Sequence, residues 1–148
     1  MLVSRPALLD VNVLIALFDE SHVHHQIVHD WFGNERHRGW ATCPLTENAF
    51  VRILTQPIPG RAPLQPGVLG LHLRGFCSSA DHVFWAASIS ILDTDRFDLS
   101  AARGRHLSDV YLAGLAHAHG GVLATFDRTI PITPVVGARA DLLEVIAR

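Results

Sequence analysis

Four acidic residues stand where this sequence offers little else that is charged. Asp10 interrupts the apolar run 7–18 (ALLDVNVLIALF), Glu47 falls within PLTENAFVRIL, Asp109 within LSDVYLAGLA, and Asp127 follows VLATF. A carboxylate among that much hydrocarbon must find hydrogen-bond donors, take up a proton or hold a cation. Four of them brought together would repel one another, and a divalent cation relieves that repulsion. Oxygen ligands alone, with no cysteine and no necessary histidine, suit Mg²⁺ or Mn²⁺ far better than zinc. Such a site suits phosphodiester hydrolysis, because the metal lowers the pKa of the attacking water and stabilises the leaving oxygen.

The acids can meet only if the elements carrying them end at one place. Residues 7–9 are too few for a helix and read as a strand buried on both faces, and 13–18 begin an apolar helix. Helical spacing returns over 23–34. Residues 39–43 read as a second strand, followed by a helix capped by Thr46, with Phe50, Val51 and Leu54 on the side of Glu47. A helix over 64–78, a strand over 82–85 and a helix capped by Ser108 come next. Gly120 and Gly121 end that last helix, 122–126 form a fourth strand, and 142–146 a fifth. Strand and helix alternate, which argues for an α/β fold with a parallel sheet covered on both faces. Ligands of such sheets bind outside the carboxyl ends of the strands. If the first and fourth strands are neighbours, Asp10 and Asp127 lie side by side there, and the helices starting nearby bring Glu47 and Asp109.

Each acid alone has a plainer account. Asp109 complements a helix dipole, Asp127 belongs to a turn with Arg128, and Glu47 partners Thr46 in capping. Their joint placement at element ends on one side is what favours a site.

Composition narrows the chemistry. A chain of 148 residues with 49% hydrophobic and 18% charged content is expected to be one domain with a substantial core. No run reaches membrane-spanning length and no leader is apparent, so the expected location is the cytosol. All the basic residues are arginine, which excludes both the phosphate-binding loop GxxxxGK[ST] and a lysine Schiff base. A net charge of −2 does not favour nucleic-acid binding overall, but Arg52, Arg61, Arg103, Arg105 and Arg128 lie near the acids in sequence and could hold phosphates. Cys43 and Cys77 fit no metal-ligand spacing and read as small core residues. His22, His24, His25 and His29 read as a solvated helix face rather than a zinc site. Asp93, Asp95 and Asp98 read as turn chemistry. The proline-rich stretch 55–66 is expected to be a flap beside the site.

The segments LLDVNVLIAL, PLTENAFVRIL, LSDVYLAGLA and LATFDR, in that order and over almost the whole chain, resemble the PIN-domain ribonucleases, and among them the VapC-type toxins of bacterial toxin–antitoxin pairs. The resemblance implies a single PIN-like domain, 1–148, with three α/β/α layers and a five-stranded parallel sheet in the order 3-2-1-4-5. It implies that Asp10, Glu47, Asp109 and Asp127 form the catalytic quartet holding Mg²⁺ or Mn²⁺, with Asn12 and Thr125 in support. It further implies a homodimer, an RNA substrate such as a transfer-RNA loop, and a VapB-type antitoxin lying across the groove with a basic side chain in the acidic pocket. Val11 departs from the pattern, since relatives commonly carry a small hydroxyl residue there.

Other classes are weaker. Haloacid-dehalogenase-type phosphatases place an aspartate after the first strand but need a second acid two residues on and a lysine later. Here Asn12 holds that position, and receiver domains fail on the same missing lysine. A non-enzymatic module binding a metal or a basic peptide has the same sequence content as the nuclease, so only activity separates them. DNA is the rival substrate.

Overall fold

Ala7–Leu9 forms β1, the middle strand of the sheet in the computed structural model, which describes residues 4–146. All three side chains are buried because both faces of the strand are covered. The remaining elements are α1 (Val11–Phe18), α2 (His25–Glu35), β2 (Trp40–Thr42), α3 (Pro44–Leu54), α4 (Pro66–Phe76), β3 (His82–Phe84), α5 (Leu107–Ala118), β4 (Val122–Thr125) and β5 (Leu143–Val145). The strands are all parallel in the order β3-β2-β1-β4-β5, the α/β architecture expected from the sequence.

Side-chain alternation along β1 divides the core in two. Ala7 and Leu9 face a cluster built from α1 to α4, including Val13, Val28, Phe32, Phe50 and Leu69. Leu8 faces the opposite cluster, where α5 supplies Val110, Ala113 and Leu115 beside Trp85 and Phe97. In the β1–β4 pair Leu9 lies opposite Ala124, so the next residue of each strand, Asp10 and Thr125, emerges at the same level of the carboxyl edge.

Two helices start earlier than propensity alone indicates. Pro44 opens α3 with Cys43 at the cap. A proline there has its φ already set and no N–H to leave unpaired. Thr46, the expected cap, works from inside the first turn, its hydroxyl accepting from the Cys43 N–H at 3.0 Å. Similarly α5 begins at Leu107 behind the short 3-10 turn Gly104–His106, and Ser108 lies in its first turn instead of capping it.

The outer strands are tied down by ion pairs. Arg36, the Trp40 indole and Ser79 all donate to Asp81, and the Arg36 guanidinium foremost holds that carboxyl far below the usual range. Arg38 and Trp31 converge on Glu144 of β5. Among the described residues no helix is long and apolar enough to cross a membrane.

Helix α5 lies so close to Phe97 that a methyl group on Gly114 would collide with its ring. Phe97 is buried and cannot swing outward. Gly114→Ala is therefore expected to destabilise the protein by about 2 kcal/mol through overpacking. Thermal unfolding should show a midpoint lowered by several degrees, about 2–4 °C per kcal/mol; an unchanged midpoint would refute the tight contact.

Candidate active site

Asp10 leaves β1 and caps α1, its Oδ1 accepting the Val11 N–H at 2.8 Å. Its Oδ2 accepts from the Thr125 hydroxyl at 2.8 Å, across the strand pair that the register brings level. The same Thr125 oxygen accepts the Asp127 N–H at 3.1 Å. One hydroxyl thus positions Asp10 directly and Asp127 through its backbone. Asp127 is fixed a second time, because its Oδ1 accepts from both the N–H and the hydroxyl of Thr129, at 2.8 and 2.6 Å.

Asp109 completes the group from the first turn of α5. It shares with Asp10 an open cleft of about 480 Å³, whose walls include Pro44, Thr46, Asn48 and Arg52 from α3 and Ser108 from α5. The electrostatics show how close the acids stand. Burial pushes the Asp109 carboxyl above its ordinary range, and the charges of Asp10 and Asp127 push it further, against the opposing pull of His106. Asp10 is only 5% exposed, and burial raises it too, despite the bonds from Thr125 and Val11. Asp127 moves the other way, held down chiefly by its bonds from Thr129. Among the described residues no arginine or histidine lies within ion-pair distance of any of the three.

Glu47 does not line this cleft itself but an adjoining depression, with Pro44, Asn48, Val51 and Arg52. The buried stripe of α3 is Thr46, Phe50 and Leu54. Glu47, one residue on, is rotated about 100° around the helix from Thr46, which turns it towards β2 and β3. There it accepts from the Thr42 hydroxyl at 2.7 Å, and it does not line the cleft of Asp10 and Asp109. Of the residues expected on its side of the helix, Phe50 and Leu54 are buried and Val51 is half-buried against the same core. Asn12 is exposed on α1 and makes no side-chain hydrogen bond among the described residues.

The arginines divide as well. Arg52 lines the acidic cleft. Arg103 and Arg105 are exposed just before α5, and Arg128 is exposed beside Asp127. Arg61 lies elsewhere, 4.0 Å from Asp19 at the C-cap of α1. That is a helix length, about 12 Å, from Asp10. The loop carrying Arg61 therefore does not bring it to the acids as a flap would.

The histidines do not form the solvated helix face expected: only His29 is exposed on α2, while His22 and His24 precede the helix and His25 opens it, all three half-buried. His22 and His24 pack against Phe126, and a His25 ring nitrogen meets the Ala16 carbonyl at 2.6 Å. The acidic run forms turns, with Asp93 accepting from Asp95 and Asp98 from Ser100. Cys43 is buried as expected, and Cys77 is half-buried at the edge of the core, beside Glu47 and His82. Sequence reasoning passed over His106, whose Nδ1 is buried without a partner; its position directly before Leu107–Ser108–Asp109 was the available signal. Thr129, two residues beyond Asp127, was legible as turn chemistry.

The fold and this cleft have counterparts. The PIN domain family model matches residues 7–134, and the chain belongs to the PIN-domain family. Its relatives place it with the VapC-type ribonucleases. Ribonuclease VapC44 of Mycobacterium tuberculosis (strain ATCC 25618 / H37Rv) is 42% identical over 145 residues, spanning 95% of this chain and 99% of its own length. Ribonuclease VapC39 of the same strain is 37% identical over 141 residues with the same two coverages, and Ribonuclease VapC38 is 37% identical over 142 residues, 87% of this chain and 95% of its own. The phosphatase and receiver readings fall away.

Proposed function

We propose that this chain is a Mg²⁺-dependent endoribonuclease, with Mn²⁺ able to substitute, acting as the toxin of a VapBC pair. The observation that carries the reading is the convergence of Asp10 and Asp109 in one cleft, with the charge of Asp127 acting on Asp109 and, among the described residues, no ion pair to balance the three. The donor set fits the metal: hard carboxylate oxygens, partly buried and mutually repelling, with no thiol or imidazole among them. Asp10, Asp109 and Asp127 would hold the ion, and Glu47, directed at Thr42, is not assigned to it. When bound, the cation supplies Lewis acidity that lowers the pKa of water and offsets charge on the phosphate.

The protein's own residues do the rest. Thr125 and the Val11 N–H hold the Asp10 carboxylate in one orientation. Thr129 occupies one oxygen of Asp127 and leaves the other free among the described residues. Arg52 on the cleft wall is placed to contact a phosphate, and Arg103, Arg105 and Arg128 are assigned to the flanking backbone. These contacts hold the strand without reading its sequence. An accessible single-stranded loop, such as that of a transfer RNA, fits an open cleft better than a duplex. The relatives' VapC names favour a VapB-type antitoxin as partner, with a basic side chain entering the acid cleft. An apolar depression of about 450 Å³ between α1, α3 and α4, lined by Leu17, Phe18, Phe50 and Phe76, offers a seat for apolar groups of that partner or of a second copy in a homodimer. A cellular RNA substrate also implies the cytosol.

Incubating purified protein with total cellular RNA, and with matched RNA and DNA oligomers, in Mg²⁺, Mn²⁺ or EDTA tests the reading. Metal-dependent RNA cleavage leaving 5′-phosphate and 3′-hydroxyl ends is expected. Ends bearing 2′,3′-cyclic phosphate would show that the 2′-hydroxyl is the nucleophile and defeat it. No cleavage by folded, inhibitor-free protein would favour the binding module.

A further inference from the structure

Beside α3, next to but outside the acid cleft, three unlike ligands meet. A carboxylate oxygen of Glu47, the Cys77 Sγ and a ring nitrogen of His82 all lie within 4.8 Å of one another. They come from three elements: the first turn of α3, the C-cap of α4 and the first residue of β3. Ligands of a tetrahedral zinc, bound at about 2.0 to 2.3 Å, stand about 3.3 to 3.8 Å apart. The atoms need close by no more than about 1.5 Å to reach that arrangement. We propose that Glu47, Cys77 and His82 form a second metal site, for a borderline-soft divalent cation of the zinc type, distinct from the oxygen-only site of Asp10, Asp109 and Asp127.

The Thr42 hydroxyl links two of the three groups: it lies 2.7 Å from the Glu47 carboxylate, to which it donates, and 2.8 Å from His82 Nε2. The Glu47 carboxylate, the Cys77 sulfur and the His82 ring are thus held facing one another by the fold. A cavity of about 540 Å³ reaches Glu47 and Cys77 from solvent past Arg74 and provides an entry path. Soft sulfur together with nitrogen and one oxygen selects zinc-like ions over Mg²⁺. Occupancy would tie α3 to the end of α4 and to the edge strand β3, and Glu47 adjoins Asn48 and Arg52 of the cleft.

Titrating metal-free, reduced protein with Co²⁺ tests this, because only a thiolate ligand produces a sulfur-to-cobalt charge-transfer band in the near ultraviolet. The band should saturate at one equivalent, disappear on adding Zn²⁺, and persist in Asp10→Asn, which separates it from the acid cleft. Cys77→Ser should lack it, and His82→Gln should require at least about tenfold more Co²⁺. Should Cys77→Ser fail to fold, His82→Gln decides. No band in the wild-type protein, a band surviving Cys77→Ser, or unchanged titration of His82→Gln would overturn the assignment.

Discussion

Asp10→Asn should leave a folded protein whose RNA cleavage is reduced about a thousandfold or more, equivalent to about 4 kcal/mol of transition-state stabilisation. The amide has the shape of the carboxylate. Its oxygen can accept the Val11 N–H that Asp10 accepts now, and its NH₂ can donate to Thr125 Oγ1 once that hydroxyl turns. Packing at this 5%-exposed position is therefore kept and only charge is removed. Thr125→Val provides the graded comparison: it retains the carboxylate and releases its orientation, and loss of such a second contact is expected to cost about 10–100-fold in metal affinity or activity. Cleavage rates at saturating Mg²⁺, with circular dichroism to verify folding, decide both. Asp10→Asn within tenfold of wild type would remove Asp10 from the site.

The second large effect is on stability and reverses with metal. The folded-state pKa values of Asp10 and Asp109 are raised, for both chiefly by burial. Between the unfolded value near 3.8 and those raised values the native state binds more protons than the unfolded state. In that window the contribution of these groups falls as pH rises, and above the raised values the full penalty is present. Asp127, held low by Thr129, contributes stability above the unfolded value and loses it only in stronger acid, so it does not disturb the window. Asn at position 10 imitates the protonated acid at every pH. In EDTA the melting temperature of Asp10→Asn minus that of wild type should therefore increase from pH 4 towards pH 7 and be positive at neutrality. Taking the difference cancels the other titrating groups, including His82, whose pKa is lowered by burial. Adding Mg²⁺ should raise the wild-type melting temperature, as any ligand of the native state does, and leave the variant nearly unmoved. A flat or negative difference in EDTA would show that the folded protein does not disfavour the charged form of Asp10.

These expectations rest on contacts that were legible to different degrees. Asp10 and Asp127 could be placed from the chain alone because each follows a short apolar run, and a strand buried on both faces must end in a polar residue at its edge. Asp109 could be placed because a helix start announces itself locally. Thr46 and Ser108 were misread as caps for a related reason: capping propensity points to a residue type, whereas Pro44 and the turn before α5 set where the backbone enters the helix.

Glu47 marks the boundary between the two sources of information. Its spacing from Phe50, Val51 and Leu54 defines a helix, but which arc of that helix meets the acids depends on how α3 is rotated against α1 and the sheet. Core packing of Thr46, Phe50 and Leu54 makes that decision and sends the carboxylate to Thr42 and His82. Arg61 was near the acids only in the sense of chain order, and Cys77 and His82 matched no motif because a helix end and a separate strand bring them together. Periodic burial and element ends are written into neighbouring residues, so the amino-acid sequence determined the α/β class, the sheet and the three aspartates. Rotation of a helix and proximity between distant segments arise from packing the whole core at once, and only the tertiary structure could turn Glu47 to Thr42 and set it beside Cys77 and His82.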